Sequence, residues 1–156
     1  MAREINPLYG TSTAMTITLA SLATSTAGVG RQSTMVSNES TRYDKVHIYA
    51  KVTTGTSPTA SKTITMYLLQ GDDASSSNWR TDGAGASDAG LTVVNAKILD
   101  VVQTSSTSNT TYYLEGIIYN PGKEFGVAIV HNTGVNLNAT GGNHEIRYVG
   151  ENPQIA

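Results

Sequence analysis

The chain has 156 residues, 38 % of them hydrophobic and only 14 % charged, with no cysteine and a formal net charge of −2. A single domain of this size removes roughly 70 % of its unfolded surface from water, so it needs neither a disulfide nor a metal staple. Its ten Lys and Arg never cluster, and its longest apolar stretch, around Met15 to Leu22, is broken by Thr and Ser, so neither a nucleic-acid partner nor a membrane span is expected.

Residues Met1 to Thr13 mix Arg3, Glu4, Ile5, Pro7, Leu8 and Tyr9 without periodicity and read as an N-terminal arm that becomes ordered only against something else. They also lack a basic segment followed by an apolar one, which argues against signal-dependent export. From residue 14 to residue 156 the dominant signal has period two, the mark of strands with one buried face. Met15, Ile17 and Leu19 begin it, and a weaker run from Val29 to Val36 follows a Gly-rich phrase. Val46, Ile48, Ala50 and Val52 alternate with Lys45, His47, Tyr49 and Lys51; Ile64, Met66 and Leu68 repeat the pattern. The stretch from Gly71 to Gly90, GDDASSSNWRTDGAGASDAG, has little intrinsic structure and reads as a projecting loop. Leu91 and Val93 lead on to Ile98 to Val102, then come Tyr112, Leu114, Gly116 and Ile118, then Phe125, Val127 and Ile129, and finally Ile146 with Tyr148.

Polar turns separate these runs, among them TTGTSP at Thr53 to Pro58, NPG at Asn120 to Gly122 and TGGN at Thr140 to Asn143. About eight short strands without helices predict an all-β antiparallel sandwich, and eight strands in two sheets is the jelly-roll number.

Catalytic and metal chemistry find little support. Asp72, Asp73, Asp82 and Asp88, with Asn78, offer oxygen ligands for a hard cation, but their spacing fits neither an EF-hand nor a Gly-Gly-x-Gly-x-Asp repeat. His47, His131 and His144 are the groups that would titrate near neutrality, yet no nucleophile elbow accompanies them. No metal, cofactor or catalytic residue is therefore expected. Trp79, the single Trp, sits in the long loop, where it serves either as a contact to a partner or as a cover for its own domain. Tyr49 and Tyr67 fall at outward or mixed positions, while Tyr112, Tyr113 and Tyr148 are placed to close the sandwich ends.

The phrase KEFGVAIVHNTGVNLNATGGNHEIRYVGENPQ, from Lys123 to Gln154, resembles a recurring ending of small structural proteins in tailed bacteriophages. TAGVGRQS at Thr26 to Ser33, followed by YDKVHIYAKV at Tyr43 to Val52, adds a similar cue, and together these segments cover about half the chain. The resemblance is to jelly-roll virion proteins, most closely to capsid decoration (cement) proteins. It implies a non-enzymatic homotrimer, assembled in the host cytoplasm, that binds the major capsid protein on the outer surface of the shell. The motifs are structural and carry over no functional residue. The arm would lie along a capsid subunit as an added strand, with Ile5, Leu8 and Tyr9 as its anchors and Trp79 as a further contact. The rival expectation is a carbohydrate-recognition module of a phage tail, with Trp79 and the loop aspartates forming a shallow sugar site.

Overall fold

A computed structural model of the chain describes residues 5–72 and 80–155. Among the described residues are eleven strands and one short 3-10 turn, Gly141–Asn143. The strands are β1 (Ile5–Tyr9), β2 (Thr13–Met15), β3 (Val29–Gln32), β4 (Val36–Ser37), β5 (Lys45–Thr53) and β6 (Thr63–Gly71), then β7 (Ala89–Thr92), β8 (Lys97–Gln103), β9 (Thr111–Tyr119), β10 (Glu124–His131) and β11 (Glu145–Ile155). They form two antiparallel sheets. One runs β1-β11-β5-β9, with β2 also on β11; the other runs β7-β3-β10-β6-β8, with β4 also on β10. The fold is the all-β sandwich that the alternation predicts.

Eleven strands replace the expected eight for identifiable reasons. The arm itself supplies β1. The run from Val29 to Val36 breaks into β3 and β4, and the run from Leu91 to Val102 breaks into β7 and β8 at a tight turn. That turn is held by Asp82, whose carboxylate accepts the backbone N–H groups of Val94, Asn95 and Ala96 at 2.6–2.7 Å.

The chain alternates between sheets so that its strands pair in nested fashion. β6 pairs β8, β5 pairs β9, β3 pairs β10 and β2 pairs β11, each pair enclosing the previous one in sequence. The β5–β11 and β6–β10 ladders join these pairs into the two sheets, to which β1 adds on β11, β7 on β3 and β4 on β10.

Between the sheets lies one apolar core, built from the inward set Val46, Ile48, Ala50 and Val52 of β5 and from Ile64, Met66, Leu114, Ile118, Phe125, Val127, Ile129 and Ile146. Tyr148 packs edge-on against Phe125, with ring centroids 5.4 Å apart. Burial at about 25 cal/mol per Å2 of apolar surface is the main force holding the two sheets together.

The two outer faces differ. On the β5 sheet the alternation is clean, and Tyr49 stands exposed between buried neighbours. In the other sheet all eight residues of β10 are buried. Its outer face carries a second apolar cluster, Leu69, Leu91 and Ala128 with Met35, Tyr67, Val93 and Ala96.

The described half of the long loop is bound to this side of the molecule and does not project. The buried Gln32 side chain donates to Gly85 O and Ser87 O at 2.7 and 2.8 Å and accepts the Ala84 N–H at 2.7 Å. Asp88 receives Arg31 and the Thr18 hydroxyl, and the Met35 N–H bonds Ala86 O. Backbone polar groups and loop acids thus find partners inside the domain, which is why a glycine-rich, polar segment can be ordered there.

Candidate binding face

The open outer face of the β5 sheet is where exposed aromatic and charged side chains converge. Strand registers set them in rows. Tyr119, Lys45, Glu151 and Tyr9 form one row across β9, β5, β11 and β1. Ile117, His47 and Val149 form the next, followed by Glu115, Tyr49 and Arg147, then Tyr113, Lys51 and Glu145. Four of the chain's eight tyrosines therefore share this face, and Tyr119 and Tyr113 are 68 % and 73 % exposed. A tyrosine gives up little conformational entropy on binding and offers both a ring face and a hydroxyl, which makes such a face suited to a partner.

At the β1 end the Glu151 carboxylate ties the rows together. Glu151 accepts Lys45 Nζ at 2.7 Å and lies 2.8 Å from His47 Nε2. The hydrogen bond from Lys45, seconded by that from His47, holds the Glu151 carboxyl below its ordinary range. The Tyr9 ring leans on His47 with centroids 5.9 Å apart. These groups, with Ile5 and Pro7, line a hollow of about 560 Å3.

At the other end Arg147 is fixed from three sides. Its Nη1 donates to Glu145 Oε1 at 2.7 Å, its Nε to Ser12 Oγ at 2.9 Å and its Nη2 to Ser12 O at 2.8 Å.

Glycine permits this strand arrangement at two points. A Cβ on Gly150 would run into the Tyr43 ring, which packs directly against the β11 backbone. A Cβ on Gly116 would sit 3.0 Å from Leu99, the residue bulged out of the β6–β8 ladder, so a glycine there lets β8 close against the β9 edge. Asp100 then accepts the Glu115 N–H at 3.0 Å and pairs that donor of the β9 edge.

The expected arm residues fall on different sides. Ile5, Pro7 and Tyr9 face outward with the rows, whereas Leu8 points the opposite way, so the three anchors do not make one patch. The arm is ordered against its own C-terminal strand, with Ile5 opposite Ile155 and Tyr9 opposite Glu151. Because the Gly10 N–H bonds Gly150 O, alternation turns the backbones of Asn6 and Leu8 toward β11 and those of Ile5, Pro7 and Tyr9 away. Pro7 has no N–H, so the free edge of β1 is interrupted at its centre and adds a further strand poorly. Side chains, not a backbone ladder, are what this end offers a partner. Trp79 and Asp73 lie outside the described residues.

The histidines are structural in their contacts. His131 is buried, its Nε2 3.0 Å from Leu22 O and its Nδ1 3.0 Å from the Thr133 hydroxyl, beyond a substrate's reach. His144 bonds Asn138 O through Nε2 at 2.8 Å and receives the Thr53 N–H at Nδ1. Burial pushes both imidazoles below their ordinary range. Asp82 is likewise committed: burial pushes its carboxyl up, but its three backbone donors more than offset this and hold it down.

The outward tyrosines of β9 were legible in TYYLEGIIY. Once Tyr112, Leu114, Gly116 and Ile118 face the core, Tyr113, Glu115, Ile117 and Tyr119 must face out. Tyr113 thus belongs to the open face and closes no sandwich end, while Tyr112 and Tyr148 pack against the core. No protein-family model, curated protein or solved structure matches the chain.

Proposed function

We propose that this chain is a non-enzymatic virion protein of a tailed phage, a jelly-roll decoration protein that binds the major capsid protein on the outside of the shell as a homotrimer. The observation that carries the reading is the difference between the two outer faces: one is covered around Leu69, Leu91 and Ala128 by the chain's own residues 80–96, leaving Ile98 and Val101 exposed along its β8 edge, and the other presents Tyr9, Tyr119, Ile117 and Ile5 uncovered. The nested pairing β6–β8, β5–β9, β3–β10 and β2–β11 supports the jelly-roll designation. The hydroxyl-rich, weakly charged surface supports attachment that tolerates changing ionic strength.

In this reading the β1 end of the open face seats on the capsid, with Ile5, Tyr9 and Tyr119 as apolar anchors. Binding is the whole function. A protein that binds only the intact shell disfavours disassembly by RT ln(1 + [L]/Kd), about 2.7 kcal/mol per site at 100 Kd. Three linked copies slow release further.

Cosedimentation of the purified chain with capsids of the phage that encodes it tests the reading. Wild type pellets with the shells, and the triple variant Ile5→Ser, Tyr9→Ser, Tyr119→Ser stays in the supernatant while remaining folded. Equal pelleting of both, or of neither, contradicts it.

A further inference from the structure

We propose that the opposite end of the same face, between Tyr49 and Tyr113, is a binding site for a neutral sugar of a glycan. The site is a six-residue grid. Glu115, Tyr49 and Arg147 lie side by side on β9, β5 and β11, and in the next row Tyr113, Lys51 and Glu145 do the same. The two tyrosines are diagonal neighbours, about 7–8 Å apart by the geometry of an antiparallel pair. Lys51 and Glu115 occupy the crossing diagonal. Together they line a hollow of about 510 Å3, within the range of small-ligand sites.

The chemistry of the grid selects the ligand class. A pyranose has an apolar C–H face and a rim of hydroxyls, so it needs an aromatic plate flanked by fixed donors and acceptors. Tyr113 supplies the plate, being the most exposed of the chain's tyrosines among the described residues, and Tyr49 supplies a second. Neither phenol hydroxyl, nor the Glu115 carboxylate, has a hydrogen-bond partner among the described residues, so they are ready acceptors and donors.

The donors opposite them are already held in place. Arg147 is fixed by Ser12 and Glu145, and Lys51 Nζ donates to Gly142 O at 3.1 Å. Preorganised partners of this kind reduce the ordering cost of binding. Charge decides between sugar classes. Two cations, Lys51 and Arg147, face Glu115 and Glu145, with Asp100 at the margin of the hollow. The site therefore has no positive excess to attract sialic or uronic acids, and the ligand is a neutral hexose or N-acetylhexosamine unit.

The inference does not depend on capsid attachment. Tyr113 and Tyr119 are six residues apart on β9, about 20 Å, so the sugar site and the proposed capsid end occupy separate parts of the face. A particle coated with such a protein would hold its sugar sites beside the seat rather than beneath it.

An array of neutral and acidic glycans, followed by NMR titration of the full chain with the neutral oligosaccharide that gives the strongest signal, tests the proposal. The expected result is binding of one or more neutral glycans, with shifts confined to the amides of β5, β9 and β11 around the grid. Tyr113→Ala and Tyr49→Ala, both surface truncations, weaken it about tenfold or more, whereas Tyr119→Ser leaves it unchanged. An array blank for neutral glycans, binding restricted to acidic glycans, or affinity that survives both tyrosine truncations in a folded protein overturns it. Loss of capsid pelleting by the Ile5, Tyr9 and Tyr119 triple variant with sugar binding retained separates the two functions.

Discussion

Tyr9 rests its ring on His47, 5.9 Å centroid to centroid, and through that contact the first strand of the chain is joined to the central strand of the open sheet by side chains as well as by its ladder to β11. The support beneath is the Glu151 carboxylate, which pairs with the Lys45 ammonium and accepts a hydrogen bond from His47.

Glu151→Gln removes the charge and leaves one acceptor oxygen where Lys45 and His47 each engage one, so the arm loses part of its seat. Amide exchange at Asn6, Leu8 and Gly10 should speed up while exchange in β10 stays unchanged. The wild-type arm should behave the same way in acid. The folded Glu151 carboxyl titrates below its ordinary 4.5, so the stability it contributes is complete above that value and is lost as pH falls through the lower, folded one. Exchange measured between pH 6 and 3 checks this, and acid-independent protection of the arm would count against the role given to Glu151.

His131 and His144 make the whole domain acid-sensitive at a higher pH. Both are depressed from 6.5 by burial, so the unfolded chain takes up protons that the folded chain refuses. Stability is full above about pH 6.5 and declines as pH drops toward the folded values, a fall visible as a lower Tm at pH 5.5 than at pH 7.5. His131→Phe leaves Leu22 O without its donor, costs about 2 kcal/mol, and flattens that pH slope.

Asp82→Ala strips three donors of their acceptor and loosens the turn that joins β7 to β8. The cost is about 1–2 kcal/mol, and the cover over Leu69 and Leu91 becomes mobile. Increased binding of a hydrophobic dye at temperatures well below Tm is the expected readout. Asp82→Asn, which retains one acceptor oxygen, should show less.

Gly150→Ala drives a methyl into the Tyr43 ring and should destabilise the domain by about 1–3 kcal/mol in a denaturant titration. Tyr43→Ala in the same chain should restore part of the loss if this collision is its cause.

Much of the sandwich could be read from alternation, because a strand with one wet face writes its burial into its sequence; β5 and β9 are the clear cases. β10 could not be read fully in this way. EFGVAIVH is buried on both sides because a roof made from distant residues covers it, and periodicity records no such contact. The same remoteness hid the order in residues 80–88, which depends on Gln32 and Arg31 more than 50 positions away. The pairing of the arm with β11 was equally hidden, since Pro7 and the absence of alternation disguise a strand whose apolar residues stay exposed. The face itself was half legible: His47 and Tyr49 are outward by pattern, but joining them to Tyr9, Arg147 and Tyr113 requires the register of four strands.

The most direct measurement is a cryo-electron microscopy reconstruction of the intact particle at a resolution that orients the sandwich. Density for this chain is expected on the outer capsid surface in threefold clusters, with the β1 end of the open sheet, at Ile5, Tyr9 and Tyr119, facing the shell. Particles without the chain, or a chain seated through the face covered by residues 80–96, would contradict it.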